Sequence, residues 1–172
     1  MLSALHAEFQ KAHRRHDLAI CLVVPVVVFL WTGRLTSNDP EELANAYSAL
    51  LYALPVLNAI LMPVVMALLA SRLWDIEVKG STTKLLYTLQ SRRSLFAAKA
   101  AFGIGEVVLM VTLEMGAAVL LGRTQHYTEA LPVGQLFYLG GCTLAVDVML
   151  YLSELLLMLA LENPLPALCV GI

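Results

Sequence analysis

Residues 49–70 read ALLYALPVLNAILMPVVMALLA, a run without a charge and with Asn58 as its one strongly polar side chain. About 20 apolar residues in a helix cross the ~30 Å hydrocarbon core of a bilayer, so this run is read as a membrane span. The next stretch, 71–99, reads SRLWDIEVKGSTTKLLYTLQSRRSLFAAK and carries Arg72, Lys79, Lys84, Arg92, Arg93 and Lys99. It is too charged to enter a bilayer. A span followed at once by a basic segment is the signature of a helical membrane protein. Pro55 and Pro63 inside the span each remove a backbone donor and free a carbonyl for neighbouring helices to satisfy.

Working outward, apolar runs recur at about 18–35, 100–121 and 133–161, and residues 163–172 turn apolar again, as the start of a fifth span that is cut short. Of eleven Lys and Arg residues, Lys11, Arg14, Arg15 and the six of 71–99 fall at alternate junctions, and only Arg34 and Arg123 fall at the others. Orientation follows Lys and Arg, so the amino terminus and the 71–99 segment are expected on the cytoplasmic face of the cell membrane. The first run follows basic residues as a secretory signal would. Thr32-Gly33-Arg34-Leu35 after it offers no small-x-small cleavage site, and a retained span is the reading. Ahead of it, Leu2, Leu5, Phe9 and Ala12 recur at helical spacing against Glu8, Lys11, Arg14 and Arg15. Residues 1–16 therefore read as an amphipathic helix lying on the inner membrane surface.

Composition agrees. The chain is 59% hydrophobic and 14% charged, against roughly 25% charged in soluble domains. The basic residues follow membrane boundaries and do not form a stripe with interleaved aromatics, which excludes nucleic acid as the partner and leaves the lipid bilayer. Cys21, Cys142 and Cys169 are odd in number and lack ligand spacing, so they read as packing residues. His6, His13 and His16 read as an interfacial polar face and not a metal site. Gly80-Ser81-Thr82-Thr83-Lys84 has the composition of a phosphate loop. It lacks the Gly directly before the Lys and the Ser or Thr directly after it, so this chain binds no nucleotide and is not read as an enzyme.

Carboxylates are the candidate chemistry. Glu106 and Glu114 fall in the third run, Asp147 and Glu154 in the fourth, and Asp147 and Glu154 stand two turns apart on one helical face. An acid at the bilayer centre costs ~2.5 kcal/mol or more on insertion scales, so such residues face a bundle interior or a wet cavity. Two readings stay open. One is a translocation path or a cationic-substrate site; the other is interhelical packing aided by Thr112, Thr143 and Ser153. In the basic segment, Leu85, Leu86, Leu89, Leu95 and Phe96 give a helix an apolar side, either to dock in a groove of a cytoplasmic partner or to anchor the loop at the surface.

Glu77, Gly80, Lys84-Leu85-Leu86, Ser91-Arg92 and Lys99 resemble the cytoplasmic loop of ABC-2-type transporter permeases: an acid before a Gly or Asn turn, then Lys-Leu-Leu, a spacer, Ser-Arg and a later Lys. Gln90 departs from the pattern, which usually has Pro before the Ser-Arg pair. Leu5, Ala7-Glu8, Lys11, Arg14 and Pro25 resemble the opening of the lantibiotic-immunity branch of that family. Ala160 to Pro164, with Leu168 and Val170 to Ile172, resembles its entry into a fifth span. The resemblance implies an all-α, polytopic transmembrane bundle with an amphipathic N-terminal helix and a cytoplasmic coupling helix. It implies an ATPase-coupling loop at Glu77, Gly80, Lys84, Leu85, Leu86, Leu89 and Arg92. It also implies a separate ABC ATP-binding subunit carrying ATP and Mg2+, and a second permease subunit, identical or not. From the residues alone, an ATP-independent ion or proton transporter using the carboxylates and a non-transporting scaffold remain alternatives.

Overall fold

The computed structural model describes residues 17–35, 39–79 and 92–161. Among them the chain is all-helical: α1 (Asp17–Leu35), α2 (Pro40–Leu43), α3 (Ala46–Lys79), α4 (Arg92–Thr124) and α5 (Val133–Leu161). Ala46–Leu73, Phe96–Thr124 and Val133–Met158 are long and apolar enough to cross a membrane, and Ala19–Arg34 in α1 is a shorter apolar helix. Pro55 and Pro63 lie inside α3, which runs through both. The N-terminal helix read at 1–16, with its three histidines, lies outside the described residues. So do Gly80, Lys84, Leu85, Leu86 and Leu89 of the loop, and 163–172. Glu77 falls on the far end of α3 and Arg92 opens α4, their side chains again outside the description.

The largest packing surfaces join helices distant in sequence. α3 lies along α5 and α1 along α4, with α4 also on α5. Buried residues recur every three or four positions: Ile20, Val24 and Val28 on α1; Leu50, Leu54, Met62 and Met66 on α3; Val107, Met110, Val111, Ala118 and Leu121 on α4; Tyr151, Leu155 and Met158 on α5. The opposite faces are equally apolar, with Leu22, Val56, Ile60, Phe137 and Met149 all exposed. A bundle apolar on both its inner and its outer faces has lipid as its natural solvent.

Polar groups of the 124–133 connection fasten the helix ends beside it. Thr124 ends α4 in a Schellman arrangement: His126 takes φ 55° and the Tyr127 N–H donates to the Gly122 carbonyl at 3.0 Å. Gln125 Nε2 donates to the Gly33 carbonyl of α1 at 2.9 Å, and the Thr128 N–H to the Leu43 carbonyl at 3.2 Å. Glu129 accepts from the Ser48 N–H at 3.0 Å and the Ser48 hydroxyl at 2.6 Å, and so caps the first turn of α3. The Ser48 hydroxyl, helped by the Ser48 and Tyr47 N–H groups, holds the Glu129 carboxyl below its ordinary range against a smaller opposing effect of burial. Tyr47 stacks edge-on with Tyr127, ring centres 5.0 Å apart, and covers Gly122 so closely that a Cβ there would overlap its phenol.

At the opposite end, Lys99 corrects the sequence reading. It was assigned to the charged segment outside the bilayer, but it is 1% exposed, and its Nζ donates to the Leu73 carbonyl of α3 at 2.5 Å. Tyr151 Oη donates to the Lys99 carbonyl at 3.0 Å, reaching it across Gly103, where any Cβ would collide with the ring. Tyr151 is thus a fully buried strut, whereas Tyr138, earlier on the same helix, is exposed.

Candidate functional site

The same stripe that buries Leu54 and Met62 on α3 buries Asn58 between them, and the stripe that buries Val111 and Ala118 on α4 buries Glu114. Helical periodicity thus aims both side chains at the bundle axis. Asn58 Nδ2 donates to Glu114 Oε1 at 2.7 Å. Asp147, one turn before Tyr151 on the inner face of α5, is 1% exposed and close enough to Glu114 to act on it electrostatically. Three helices therefore each bring one polar side chain to the bundle interior. Asn58 and Asp147 stand at the midpoints of their membrane-length segments, and Glu114 stands about four residues, roughly 6 Å, from its own.

Satisfaction of this centre is partial. Asn58 Oδ1, Glu114 Oε2 and Asp147 Oδ2 are buried and accept no hydrogen bond from the described residues. In a low-dielectric interior an acceptor left bare costs ~1–3 kcal/mol, and such groups in a native fold call for an explanation.

All four carboxylates singled out from sequence are buried. Glu114 meets Asn58, and Asp147 lies within electrostatic reach of it; Glu106 stands about two turns from Glu114 on α4 and Glu154 two turns from Asp147 on α5, both toward the Lys99 end, and Glu154 Oε2 is likewise without a donor among the described residues. Of the residues expected to help them pack, Thr143 is buried, while Thr112 donates to the Val108 carbonyl and Ser153 to the Leu150 carbonyl, each within its own helix. Asn58 is the interhelical partner that sequence reasoning missed. Its signal was present, since a lone strongly polar residue in an apolar run is subject to the same argument as an intramembrane acid. Cys21 is a core residue as expected, whereas Cys142 is exposed. At the 124–133 end a cleft of about 560 Å3 opens between α1 and α3, lined among others by Thr32, Glu41, Glu42, Asn45, Leu50 and Tyr127.

A family profile described as ABC-2 family transporter protein matches residues 4–172. The chain belongs to that family. This ABC-2 family protein is accordingly a multi-pass membrane component of an ABC transporter, which works with an ATP-binding partner and is not itself the ATPase. The match spans the bundle, the polar centre and the 71–99 segment alike. No curated protein and no solved structure matches the chain.

Proposed function

We propose that this protein is the permease subunit of an ABC-2-type exporter that removes lantibiotic-like peptides from the membrane and so confers self-protection. The observation that carries the reading is the family match over residues 4–172 on a bundle whose middle is polar while its outer faces are apolar. In this reading α1 is a fourth crossing, and the amino terminus and the 71–99 segment are cytoplasmic, as the distribution of Lys and Arg supports. Leu85, Leu86 and Leu89 dock the loop on the ATP-binding subunit, with Glu77, Gly80, Lys84 and Arg92 shaping it. A second permease subunit completes the assembly, ATP and Mg2+ sit on the partner, and Glu106, Glu114, Asp147 and Glu154 belong to the path of transport.

The test is co-purification with an ATP-binding subunit. Leu85→Asp with Leu86→Asp is expected to lose the partner while the protein still inserts into the membrane, because the apolar side of a docking helix carries such a contact. Unchanged recovery of the partner would return the loop to a surface anchor. Absence of any ATPase partner for the wild-type protein would favour an ATP-independent ion transporter, the reading that the central carboxylates would then support.

A further inference from the structure

We propose that Asn58, Glu114 and Asp147 form a binding site for a small monovalent cation, a proton or an alkali-metal ion, at the centre of the bundle. The inference rests on the shape of the centre and does not depend on which cargo the transporter moves. Asn58 is 6% exposed, Glu114 0% and Asp147 1%, and each keeps an oxygen that no described residue serves as donor. Two acids within electrostatic reach of each other and an amide oxygen make a set of acceptors, and a set of acceptors is completed by a positive charge. Asn58 is held in place for this: its amide nitrogen is spent on Glu114, so its bare carbonyl oxygen stays beside the acids.

Size and charge narrow the occupant. With exposures of a few per cent at most, the site has no room for a peptide side chain in the state described. No group of three or more His, Cys, Asp and Glu among the described residues is arranged as the multi-carboxylate cage that Ca2+ sites use. Lys99 is about four turns from Glu114 along α4, roughly 22 Å at 1.5 Å per residue, and its Nζ is directed to the Leu73 carbonyl of α3. Besides Lys99, the other buried titratable groups among the described residues of these helices are Cys21 on α1, Tyr47 on α3, Glu106 on α4, and Tyr151 and Glu154 on α5; of these only the two acids add charge, and its sign is the same. Access from the 124–133 end is short. The acidic cleft bearing Glu41 and Glu42 reaches Ala53 on α3, and Asn58 lies about 7.5 Å further along that helix. Negative charge at a cleft mouth raises the local concentration of cations.

The test uses the full chain, purified in detergent without any partner, and follows unfolding by tryptophan fluorescence. A ligand that binds only the folded state raises the unfolding midpoint saturably with its concentration. The midpoint is to be measured in sodium, potassium and choline chloride at equal ionic strength, each across a pH series. A rise with Na+ or K+ over choline at fixed pH identifies an alkali-metal site; a rise with acidity alone, the same in all three salts, identifies a proton site. In either case Glu114→Gln and Asp147→Asn are expected to weaken the response by about tenfold in half-maximal concentration, the equivalent of one charged contact. Glu41→Gln with Glu42→Gln, at the mouth and off the site, is expected to keep it. Asn58→Asp supplies a second route should either variant fail to fold, because an added acid steepens the response to a cation bound there. A wild-type midpoint indifferent to both salt identity and pH would overturn the proposal, as would a response that survives Glu114→Gln and Asp147→Asn or is unchanged by Asn58→Asp.

Discussion

The 124–133 connection and the centre of the bundle hold similar polar side chains and treat them in opposite ways. At the connection, Glu129 takes two hydrogen bonds from Ser48, Gln125 reaches Gly33, and Thr128 reaches Leu43. At the centre, Asn58 and Glu114 share one bond, and Asn58 Oδ1, Glu114 Oε2 and Asp147 Oδ2 are left without a donor among the described residues. The polar groups with water nearby are fully used as fasteners, and those least able to tolerate neglect are not. A centre built only for stability would have been apolar, since replacing both members of a buried polar pair by apolar groups of similar shape is nearly neutral. The difference separates polarity that holds the helices from polarity that, on the function proposed above, is kept for transport.

The largest effect is expected from splitting the central pair. Asn58→Leu leaves the Glu114 carboxyl facing hydrocarbon and should lower stability by ~1–3 kcal/mol. Asn58→Leu combined with Glu114→Leu should recover most of that loss, so that a double-mutant cycle on the unfolding midpoint gives strong coupling. If the double variant instead sums the two single losses, the two side chains are not coupled, and the contrast collapses.

Next comes Gly122→Ala. Its methyl would overlap the Tyr47 phenol, and overpacking of this kind costs ~1–3 kcal/mol when the neighbour is held, as Tyr47 is by Tyr127. The expected signature is a lower unfolding midpoint, relieved by adding Tyr47→Ala. The relief should restore the midpoint, because the overlap with Tyr47 is what the added methyl costs.

The smallest effect sits at the cap of α3. Glu129→Gln removes a charge from the helix N-terminus and should cost ~0.3–1 kcal/mol. The sign of its pH dependence follows from the depressed titration of Glu129. The wild-type contribution is present above the ordinary Glu value of about 4.3 and is lost as pH falls through the lower value of the folded state. The midpoints of wild type and Glu129→Gln should therefore differ at neutral pH and converge in acid; a gap that widens in acid would contradict the cap.

The contrast between the two regions also sets how far the sequence could be read. α3, α4 and α5 were legible as long apolar runs, and the acids as exceptions within them. Their rotation was not. In a lipid-facing bundle Ile60, exposed, and Met62, buried, are equally apolar, so no amphipathic stripe marks the inner face, and the pairing of Asn58 with Glu114 has no signature in composition. Lys99 was misplaced for a related reason: Lys near a helix end usually snorkels outward, and the Leu73 carbonyl opposite it, which helps make burial tolerable, is not encoded locally. The fastening of Glu129 to Ser48 and of Gln125 to Gly33 joins residues far apart in the chain, which local pattern does not encode.

One measurement bears most directly on the claim that the centre is polar for transport. Wild type and the Asn58→Leu, Glu114→Leu double variant are to be reconstituted with the ATP-binding partner and compared for ATP-driven peptide export at matched amounts of folded protein. The account predicts a double variant as stable as wild type whose export falls about tenfold or more, the loss of ~1.4 kcal/mol of interaction made only during transport. Export at the wild-type rate from that apolar centre would contradict it.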